Sequence, residues 1–435
     1  MYDFANSGYT TVVLTAVFNA YFVGVVAQGA PWGTLAWTLT LAVSYAIAMV
    51  AAPLAGAWAD ARAAKKRLLG FFTAGCVAAT AMLALVGRGD LALAVFAIVA
   101  SNVFYSLGDT MIAAFLPELA RPDSIGRVSG WGWSFGYLGG MTSLGLSLAW
   151  VLAAQAQGQT ADQFVPVAML ITAGVYGAAA LVTFAWLRER SVAAGPGPGP
   201  DTDTGTGTGP GPGPGTGTGS GSGSGTGSSS SWTRLRATLG DARRFRDFGW
   251  LLACGACYQA GIAVVITLAA VYAQEVMGFD TPQTMALIFV VNVASAAGAF
   301  GFGYSQDRLG SRGGLAATLV GWIVTVAVAA SATTATAFWA AATLAGLCMG
   351  SSQSCGRALV GLFAPPGRLG EFYGLWGLAT RLASIVGPVT YGVVTWATDG
   401  NHRLAILCTG VFFLASLAMV GPIDMQRGRR AALQA

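Results

Sequence analysis

The segment GAWADARAAKK, residues 56–66, is echoed in the second half of the chain by GYSQDRLGSR, residues 303–312. In each copy a glycine and then an aspartate precede basic residues, so that Asp60 aligns with Asp307. Both copies close the second apolar run of their half, which means that the two halves cross the same layer in the same direction. The sequence therefore predicts two parallel structural repeats in one chain.

Long apolar runs fill both halves of the sequence. Of the 435 residues, 54% are hydrophobic and only 9% are charged, and the runs are about 20 residues long, the length that crosses a bilayer core. Continuous runs of this length favour helices over the short alternating strands of a barrel. The sequence predicts an all-α integral membrane protein with twelve transmembrane helices in two six-helix bundles. The runs are Ala5 to Val26, Leu35 to Trp58, Leu68 to Val86, Leu91 to Leu116, Gly130 to Ala153, Phe164 to Leu187, Trp250 to Ala273, Met285 to Tyr304, Leu315 to Ser331, Ala335 to Phe363, Phe372 to Trp396 and Leu404 to Ile423.

A stretch of Gly, Pro, Thr and Ser separates the two halves and has no apolar content to bury. We predict an N-terminal six-helix bundle over residues 1–190, a disordered cytoplasmic linker over 191–231 and a C-terminal six-helix bundle over 249–435. Residues 232–248 carry arginines among leucines and phenylalanines. This basic amphipathic segment either lies on an anionic leaflet or is an ordinary basic flank.

The distribution of Lys and Arg sets the orientation, because cytoplasmic loops retain these residues. Basic residues follow the even-numbered spans and close the chain, whereas only Arg88 and Arg403 fall in the opposite loops. Both termini are predicted to be cytoplasmic in a multi-pass protein of the cell membrane. The residues that follow the even-numbered spans include Arg62, Lys65, Lys66, Arg67, Arg121, Arg127, Arg188, Arg190, Arg308, Arg312 and Arg368.

Scarce residue types exclude several functions. Lys65 and Lys66 are the only lysines and neither follows a glycine, so there is no Walker A nucleotide site. His402 is the only histidine, and the six cysteines lie inside apolar runs, where they behave as small hydrophobic residues. We therefore expect no enzyme activity, no cofactor, no metal site and no nucleic-acid partner, and the basic balance reflects loop bias.

The repeated loop segment resembles the signature of the major facilitator superfamily, G-x-x-x-D-R-x-G-R/K-R/K. The first copy departs from it by having Ala61 and Ala63 where Arg and Gly are usual. The resemblance implies a transporter fold whose two halves rock about a central site. The matching residues are Gly303, Asp307, Arg308, Gly310 and Arg312 in the second copy, and Gly56, Asp60 and Lys65 in the first.

A narrower resemblance is to the vacuole-effluxer-like, autophagy-related transporter family. Its opening motif appears here as YDFANSGY, Tyr2 to Tyr9. Two later landmarks appear as SGWGWSFGYLGG, Ser129 to Gly140, and EFYGLWGLATRLASIVGP, Glu371 to Pro388. The resemblance covers both halves and implies export of small solutes, which are amino acids in the fungal members.

Three charged residues lie inside predicted spans, where each charge costs about 2.5–3.5 kcal/mol on insertion scales. Arg381 is near the middle of span eleven and forms either a buried ion pair or a substrate or gating site. Asp109 and Arg357 lie at equal depth on the pseudo-equivalent spans four and ten. They either pair across the two halves, as a bistable element would, or are separately hydrated in a vestibule.

Asp3, Asn6 and Thr10 form a polar stripe at the start of span one. Either Asp3 takes up a coupling proton in the cavity, or it caps the first helix and compensates its dipole. Aromatic residues near these charges either face the cavity or pack between helices. They are Tyr105, Trp131, Trp133, Tyr137, Tyr373 and Trp376.

Gating is assigned to the two copies of the repeated loop. Asp60 and Asp307 are predicted to meet the positive N-termini of neighbouring helices when one side of the cavity closes. Gly56, Gly303 and Arg308 belong to the same motif and are assigned to gating with the two aspartates. The alternative is that these loops only set the orientation of the chain.

Three classes of function compete. The first is a monomeric secondary transporter that moves a small solute, coupled to a proton or another ion, across the bilayer that surrounds it. The second is a receptor or sensor built on a transporter fold, and the third is a lipid scramblase. Uptake of labelled solutes into liposomes separates all three.

Overall fold

A computed structural model describes residues 1–30, 32–189, 244–279 and 281–434. In this part of the chain, six long helices precede the gap at 190–243 and six follow it. The predicted linker and residues 232–243 of the basic segment lie outside the described residues. The helices are α1 (Tyr2–Val26), α2 (Gly33–Arg62), α3 (Lys65–Met82), α4 (Leu91–Ala113), α5 (Ile125–Ala156), α6 (Ala161–Trp186), α7 (Arg246–Glu275), α8 (Thr281–Leu309), α9 (Ser311–Ser331), α10 (Ala335–Phe363), α11 (Leu369–Ala397) and α12 (His402–Val420).

Eleven of these twelve helices meet the length and the apolar composition needed to cross a membrane. The exception is α10, which is 29 residues long but carries the polar stretch Ser351 to Ser354 and Arg357 in its second half. These polar residues face other helices and Ser351, Ser352 and Ser354 are fully buried. The fold is the predicted all-α membrane bundle. The α10 helix has the lowest hydropathy because its polar residues point into the interior of the protein.

Helical structure extends beyond most of the apolar runs. The α2 helix continues past Trp58 to Arg62, and α5 begins at Ile125 rather than Gly130. Backbone hydrogen bonding continues into polar flanks, which hydropathy cannot register. The α7 helix begins at Arg246, so the end of the predicted basic segment belongs to a spanning helix. A short helix, Met425–Leu433, closes the described chain.

The first spanning helix is irregular, which its apolar pattern does not predict. Regular α-helix over Tyr2–Tyr9 gives way to π-helix over Thr10–Ala16, and the alternation repeats at Phe18–Tyr21 and Phe22–Val26. Thr15 donates a side-chain hydrogen bond to the Thr10 carbonyl at 3.0 Å. Such π segments are uncommon and concentrate at functional sites.

The two halves meet at the end of the bundle that carries the basic loops, here called the basic end. There α2 packs against α11, and α5 packs against α8. A Cβ added to Gly56 would lie 1.9 Å from the Gly370 carbonyl oxygen, and one on Gly130 would lie 2.4 Å from that of Ala299. Glycine is therefore required for these backbone contacts, which close the bundle at its basic end.

Candidate functional site

Arg357 on α10 and Asp3 on α1 form a tight ion pair between the two halves. Arg357 Nη1 lies 2.9 Å and 3.0 Å from the two carboxylate oxygens of Asp3. Its Nε donates to Ser129 Oγ at 3.3 Å, and its Nη2 donates to the Ser129 carbonyl at 3.0 Å. The guanidinium also lies 5.4 Å from the ring centre of Trp133. Every guanidinium nitrogen has a protein partner, so this arginine is held in one geometry.

A second, looser pair joins Asp109 on α4 to Arg381 on α11. The closest approach is 4.0 Å, from Arg381 Nη2 to Asp109 Oδ2, too long for a hydrogen bond. The guanidinium lies 5.6 Å and 5.8 Å from the ring centres of Tyr45 and Tyr105, within the range of cation–π attraction. The Asp109 side chain is 43% exposed, against 17% for Asp3. This pair borders open space and can accept another group.

A chain of hydrogen bonds orients Asp109. Asn6 Nδ2 donates to Asp109 Oδ1 at 3.1 Å, while Tyr176 donates to Asn6 Oδ1 at 2.9 Å, which fixes the orientation of the Asn6 amide. Tyr176 also reaches the hydroxyl of Tyr2 at 3.3 Å, and Tyr2 lies 2.7 Å from Thr73 Oγ1. These partners come from α1, α3 and α6, so the position of Asp109 depends on how these three helices pack with α4.

Asp109 and Arg357, for which the sequence left pairing and separate hydration open, do not pair with each other in this structure. Arg357 instead meets Asp3, and Asp109 instead faces Arg381. Depth follows from residue spacing, whereas the direction in which a side chain points follows from helix rotation. Helix Tyr2–Tyr9 has no side-chain cap, but Asp3 lies in its first turn, where a carboxylate compensates the helix dipole. Thr10 Oγ1 donates to the Ser7 carbonyl at 3.1 Å and to the Asn6 carbonyl at 3.5 Å, so it bonds the backbone of its own helix.

Asp60 lies at the contact between the halves. Its two carboxylate oxygens accept hydrogen bonds from the backbone N–H groups of Gly370 at 3.0 Å and Glu371 at 2.9 Å, in the first turn of α11. These N–H groups have no partner within the helix and carry the positive end of its dipole. Arg368 donates two bonds to Glu371 at 2.9 Å and 3.0 Å. Asp60 is 6% exposed and depends on closure of the two halves for its partners.

The second copy of the motif lies at the end of α8. Gly303 packs on α5, where an added Cβ would lie 2.9 Å from the Gly126 carbonyl oxygen. Asp307 belongs to the last turns of α8, but its side chain lies outside the described residues. Arg308 is exposed beside it. The structure therefore describes one of the two predicted carboxylate gates in full.

Two acidic residues at the basic end, Glu118 and Glu189, were not among the site residues predicted from the sequence. The ammonium group of the buried Lys65 contacts the Glu118 carboxylate, and Glu189 accepts from the backbone N–H groups of Lys65 at 2.8 Å and Lys66 at 3.1 Å. Lys65 is the basic residue that the first motif copy retains. The presence of Lys65 in the motif was the only sequence signal for this contact. The acidic partners of Lys65 could not be identified, because they come from distant segments of the sequence.

A twelve-helix bundle of two parallel halves, closed by motif loops and lined by opposed charges, defines a membrane transporter of the major facilitator type. The sequence profile of the family described as "Vacuole effluxer Atg22 like" matches residues 35–433, and the chain belongs to that family.

Individual relatives agree with this assignment. The "Uncharacterized MFS-type transporter YxiO" of Bacillus subtilis (strain 168) is 25% identical over 429 residues, covering 97% of this chain and 91% of its own. "Autophagy-related protein 22-1" of Penicillium rubens (strain ATCC 28089 / DSM 1075 / NRRL 1951 / Wisconsin 54-1255) is 27% identical over 218 residues, covering 47% of this chain and 36% of its own.

Solved structures share the fold. The proton:xylose symporter XylE, bound to 6-bromo-6-deoxy-D-glucose, has a TM-score of 0.69 at 13% identity, with 97% of this chain and 94% of the other covered. An outward-facing bacterial homologue of the iron transporter ferroportin has a TM-score of 0.67 at 14% identity, with 96% of each chain covered. At these identities the likeness establishes the architecture alone.

Proposed function

We propose that this protein is a secondary active transporter of the cell membrane that moves a small solute by alternating access. The proposal rests on one observation: the two arginines that lie between the halves differ in how fully their guanidinium groups are bonded. Arg357 has protein partners on every guanidinium nitrogen, whereas Arg381 meets its carboxylate only at 4.0 Å. Arg381 therefore retains hydrogen-bonding capacity for a ligand, and its position on α11 couples that ligand to the movement of the C-terminal half.

The charges around Arg381 favour an amino-acid-like substrate. A carboxylate on the substrate pairs with the planar fork of Arg381, which suits bidentate recognition. An ammonium group on the same substrate is attracted by the neighbouring Asp109, which is 43% exposed on its side chain. The rings of Tyr45 and Tyr105 form apolar surface beside the guanidinium. Export of such solutes is what the family resemblance implies.

Asp109 is the proposed coupling group. A substrate carboxylate that binds Arg381 pairs with the guanidinium that Asp109 now faces, and Asp109 is left without a positively charged partner. A carboxylate left without a countercharge inside a membrane is costly, and taking up a proton removes the charge. Proton and substrate movements are linked in this way because both depend on one guanidinium.

Asp60 is the proposed gate residue, together with Gly56, Gly303, Asp307 and Arg308. With the basic end toward the cytoplasm, the observed closure corresponds to an outward-facing or occluded state. Opening the basic end removes the Gly370 and Glu371 N–H groups from Asp60, so the carboxylate favours the closed arrangement. Such an interface has two discrete arrangements, as alternating access requires.

Transport by purified protein in liposomes tests the site. Arg381→Ala is expected to abolish uptake of labelled amino acids while folded protein, measured by size-exclusion chromatography, stays near the wild-type level. Arg381→Lys is expected to be intermediate, because it keeps the charge but loses the fork. The matched control is Arg88→Ala, at an arginine that is 69% exposed and pairs with Asp162 outside the cavity. Wild-type transport per folded Arg381→Ala molecule would remove Arg381 from the site.

Asp109→Asn tests the coupling separately. The amide keeps the size of the side chain and a partner for Asn6 but cannot take up a proton at this position. We expect exchange of substrate across the liposome membrane to continue, while accumulation driven by an imposed pH gradient is lost. Accumulation that still follows the gradient would show that the proton binds elsewhere.

Cysteine labelling tests the orientation. A cysteine at Gln434, beside the last helix at the basic end, is expected to resist an impermeant thiol reagent in intact cells. The control is a cysteine at Gln157, an exposed residue at the end of α5 on the opposite side, which is expected to react. The reverse pattern would place the basic end outside.

A further inference from the structure

A groove of about 860 Å³ runs between α3 and α6 on the outer face of the N-terminal half. Its walls are small or apolar side chains over most of their length. Its head, at the basic end, is formed by Lys66, Arg67 and Glu189. The groove therefore combines an apolar trough with a charged head, and it is separate from the site between the two halves.

Glycines in the walls keep this trough open. A Cβ added to Gly70 would meet only the far end of Phe184, at 4.0 Å, and one on Gly177 would meet only Val77 Cγ2, at 3.9 Å. The contrast is with Gly139 on α5, where a Cβ would lie 2.2 Å from the Phe4 carbonyl oxygen. In α5 the missing side chain permits helix contact. In α3 and α6 it leaves unfilled space, which helix packing does not explain.

The head of the groove has a net positive charge. Glu189 accepts bonds from the N-terminal backbone of α3, and Lys66 Nζ donates to the carbonyls of Phe184 and Leu187 at the end of α6. Arg67 is exposed and has no ion-pair partner among the described residues. A guanidinium available at the start of a helix suits a phosphate group.

We infer that this groove binds an anionic phospholipid of the cytoplasmic leaflet, with its acyl chains in the trough and its phosphate on Arg67. The apolar walls match the chains, and the net positive head matches the charge of the lipid. Basic pockets between helices on the cytoplasmic side commonly recognise anionic head groups. The lipid fits the membrane-facing position of the groove better than a soluble anion, which the trough does not complement.

Thr73 connects the groove with the centre of the protein. It lines the trough, and its hydroxyl lies 2.7 Å from that of Tyr2, which leads through Tyr176 to Asn6. A bound lipid would therefore support the α3 wall against which the network around Asp109 is built.

Native mass spectrometry of the detergent-purified protein tests the inference without a transport assay. The probes are phosphatidylglycerol and phosphatidylcholine with identical acyl chains. Wild-type protein is expected to retain phosphatidylglycerol in preference to phosphatidylcholine. Arg67→Gln is expected to weaken phosphatidylglycerol binding about fivefold, the value of one basic residue near an anionic lipid. The matched control, Arg429→Gln, removes an exposed arginine of the same end outside the groove and should leave binding unchanged.

Gly177→Leu locates the lipid. The added side chain has room to enter the trough, so the protein should fold normally and lose most of its tightly retained phosphatidylglycerol. Equal binding by the Arg67→Gln and Arg429→Gln variants, equal retention of both lipids by the wild type, or unchanged binding by Gly177→Leu would each overturn the proposal. None of these readouts depends on whether the protein transports a solute.

Discussion

The two halves of the protein share one backbone plan but contribute opposite charges to the space between them. The N-terminal half supplies the carboxylates of Asp3 and Asp109, and the C-terminal half supplies the guanidinium groups of Arg357 and Arg381. A repeat that had kept equivalent side chains would place like charges opposite each other. The halves have instead become complementary, so that charge attraction favours their association across the centre.

The same comparison applies at the basic end. Gly56 and Gly303 occupy equivalent positions, yet the first contacts α11 far more closely than the second contacts α5. In the loops that follow, Ala63 occupies the position where the second copy has Gly310. Equivalent motif positions therefore differ in how closely they pack against the other half. Matched substitutions at the two positions can measure the resulting difference in stability.

The largest expected effect is on stability, and it should differ between the two ion pairs. Arg357→Ala leaves the carboxylate of Asp3 without its partner in a site where both side chains are mostly buried, at 11% and 17% exposure. We expect the free energy of unfolding in detergent to fall by about 3–5 kcal/mol, the cost of breaking a buried pair. Arg381→Ala should be much less damaging, because its pair is loose and open. Denaturant titration of both variants provides the measurement.

A charge reversal controls this experiment. Asp3→Arg combined with Arg357→Asp restores a pair with the polarity exchanged, so it should recover part of the stability lost in the single variants. Equal losses for Arg357→Ala and Arg381→Ala would contradict the division between a structural and a functional arginine.

A smaller effect is expected from the motif glycines. Gly56→Ala brings a Cβ within 1.9 Å of the Gly370 carbonyl oxygen, whereas Gly303→Ala brings one within 2.9 Å of the Gly126 carbonyl oxygen. Overpacking of this kind typically costs about 1–3 kcal/mol. We expect Gly56→Ala to lie at the upper end of that range and to favour the state that is open at the basic end. Increased labelling of a cysteine placed at the basic end would report it.

Gly301→Ala serves as the control for both glycine substitutions, since a Cβ there meets nothing within 4 Å. It should leave labelling and stability close to the wild type. A larger effect from Gly303→Ala than from Gly56→Ala would mean that α5 and α8, rather than α2 and α11, form the more rigid contact.

The sequence predicted the fold because hydrophobic length and loop charge are local properties. Apolar runs of the right length located the spans, and the repeated motif identified the parallel halves. The π segment at Thr10–Ala16 was not predictable, because hydropathy does not distinguish one kind of helix from another.

The sequence selected the charged residues of the candidate site but not the contacts between them. A charge in a span is costly, so Arg357, Arg381 and Asp109 were identified by their residue type and position. Which carboxylate meets which arginine depends on rotations of α1, α4, α10 and α11 that no single span encodes. The Lys65 contact with Glu118 was missed for a related reason, since its acidic partner follows a different helix.

The smallest expected effect concerns Ala63, where the first motif copy departs from the family pattern. Ala63 ends α2 in the left-handed conformation, with φ 47° and ψ 49°, whereas Gly310 has φ 77° in the second copy. A left-handed conformation costs a residue with a Cβ about 1–2 kcal/mol, and glycine avoids most of that strain. We therefore expect Ala63→Gly to raise the free energy of unfolding by about 1 kcal/mol, measured by denaturant titration. Ala61→Gly, inside the last turn of the same helix, should lower it by about 0.5–1 kcal/mol, because glycine there only adds freedom to the unfolded chain. The opposite signs distinguish relief of backbone strain from a general effect of glycine in this loop. Gly310→Ala completes the comparison and should destabilise the second loop, since its positive φ is unfavourable for alanine. If Ala63→Gly and Ala61→Gly destabilise the protein equally, the two loops do not differ in strain, and the departure of the first copy has no energetic consequence.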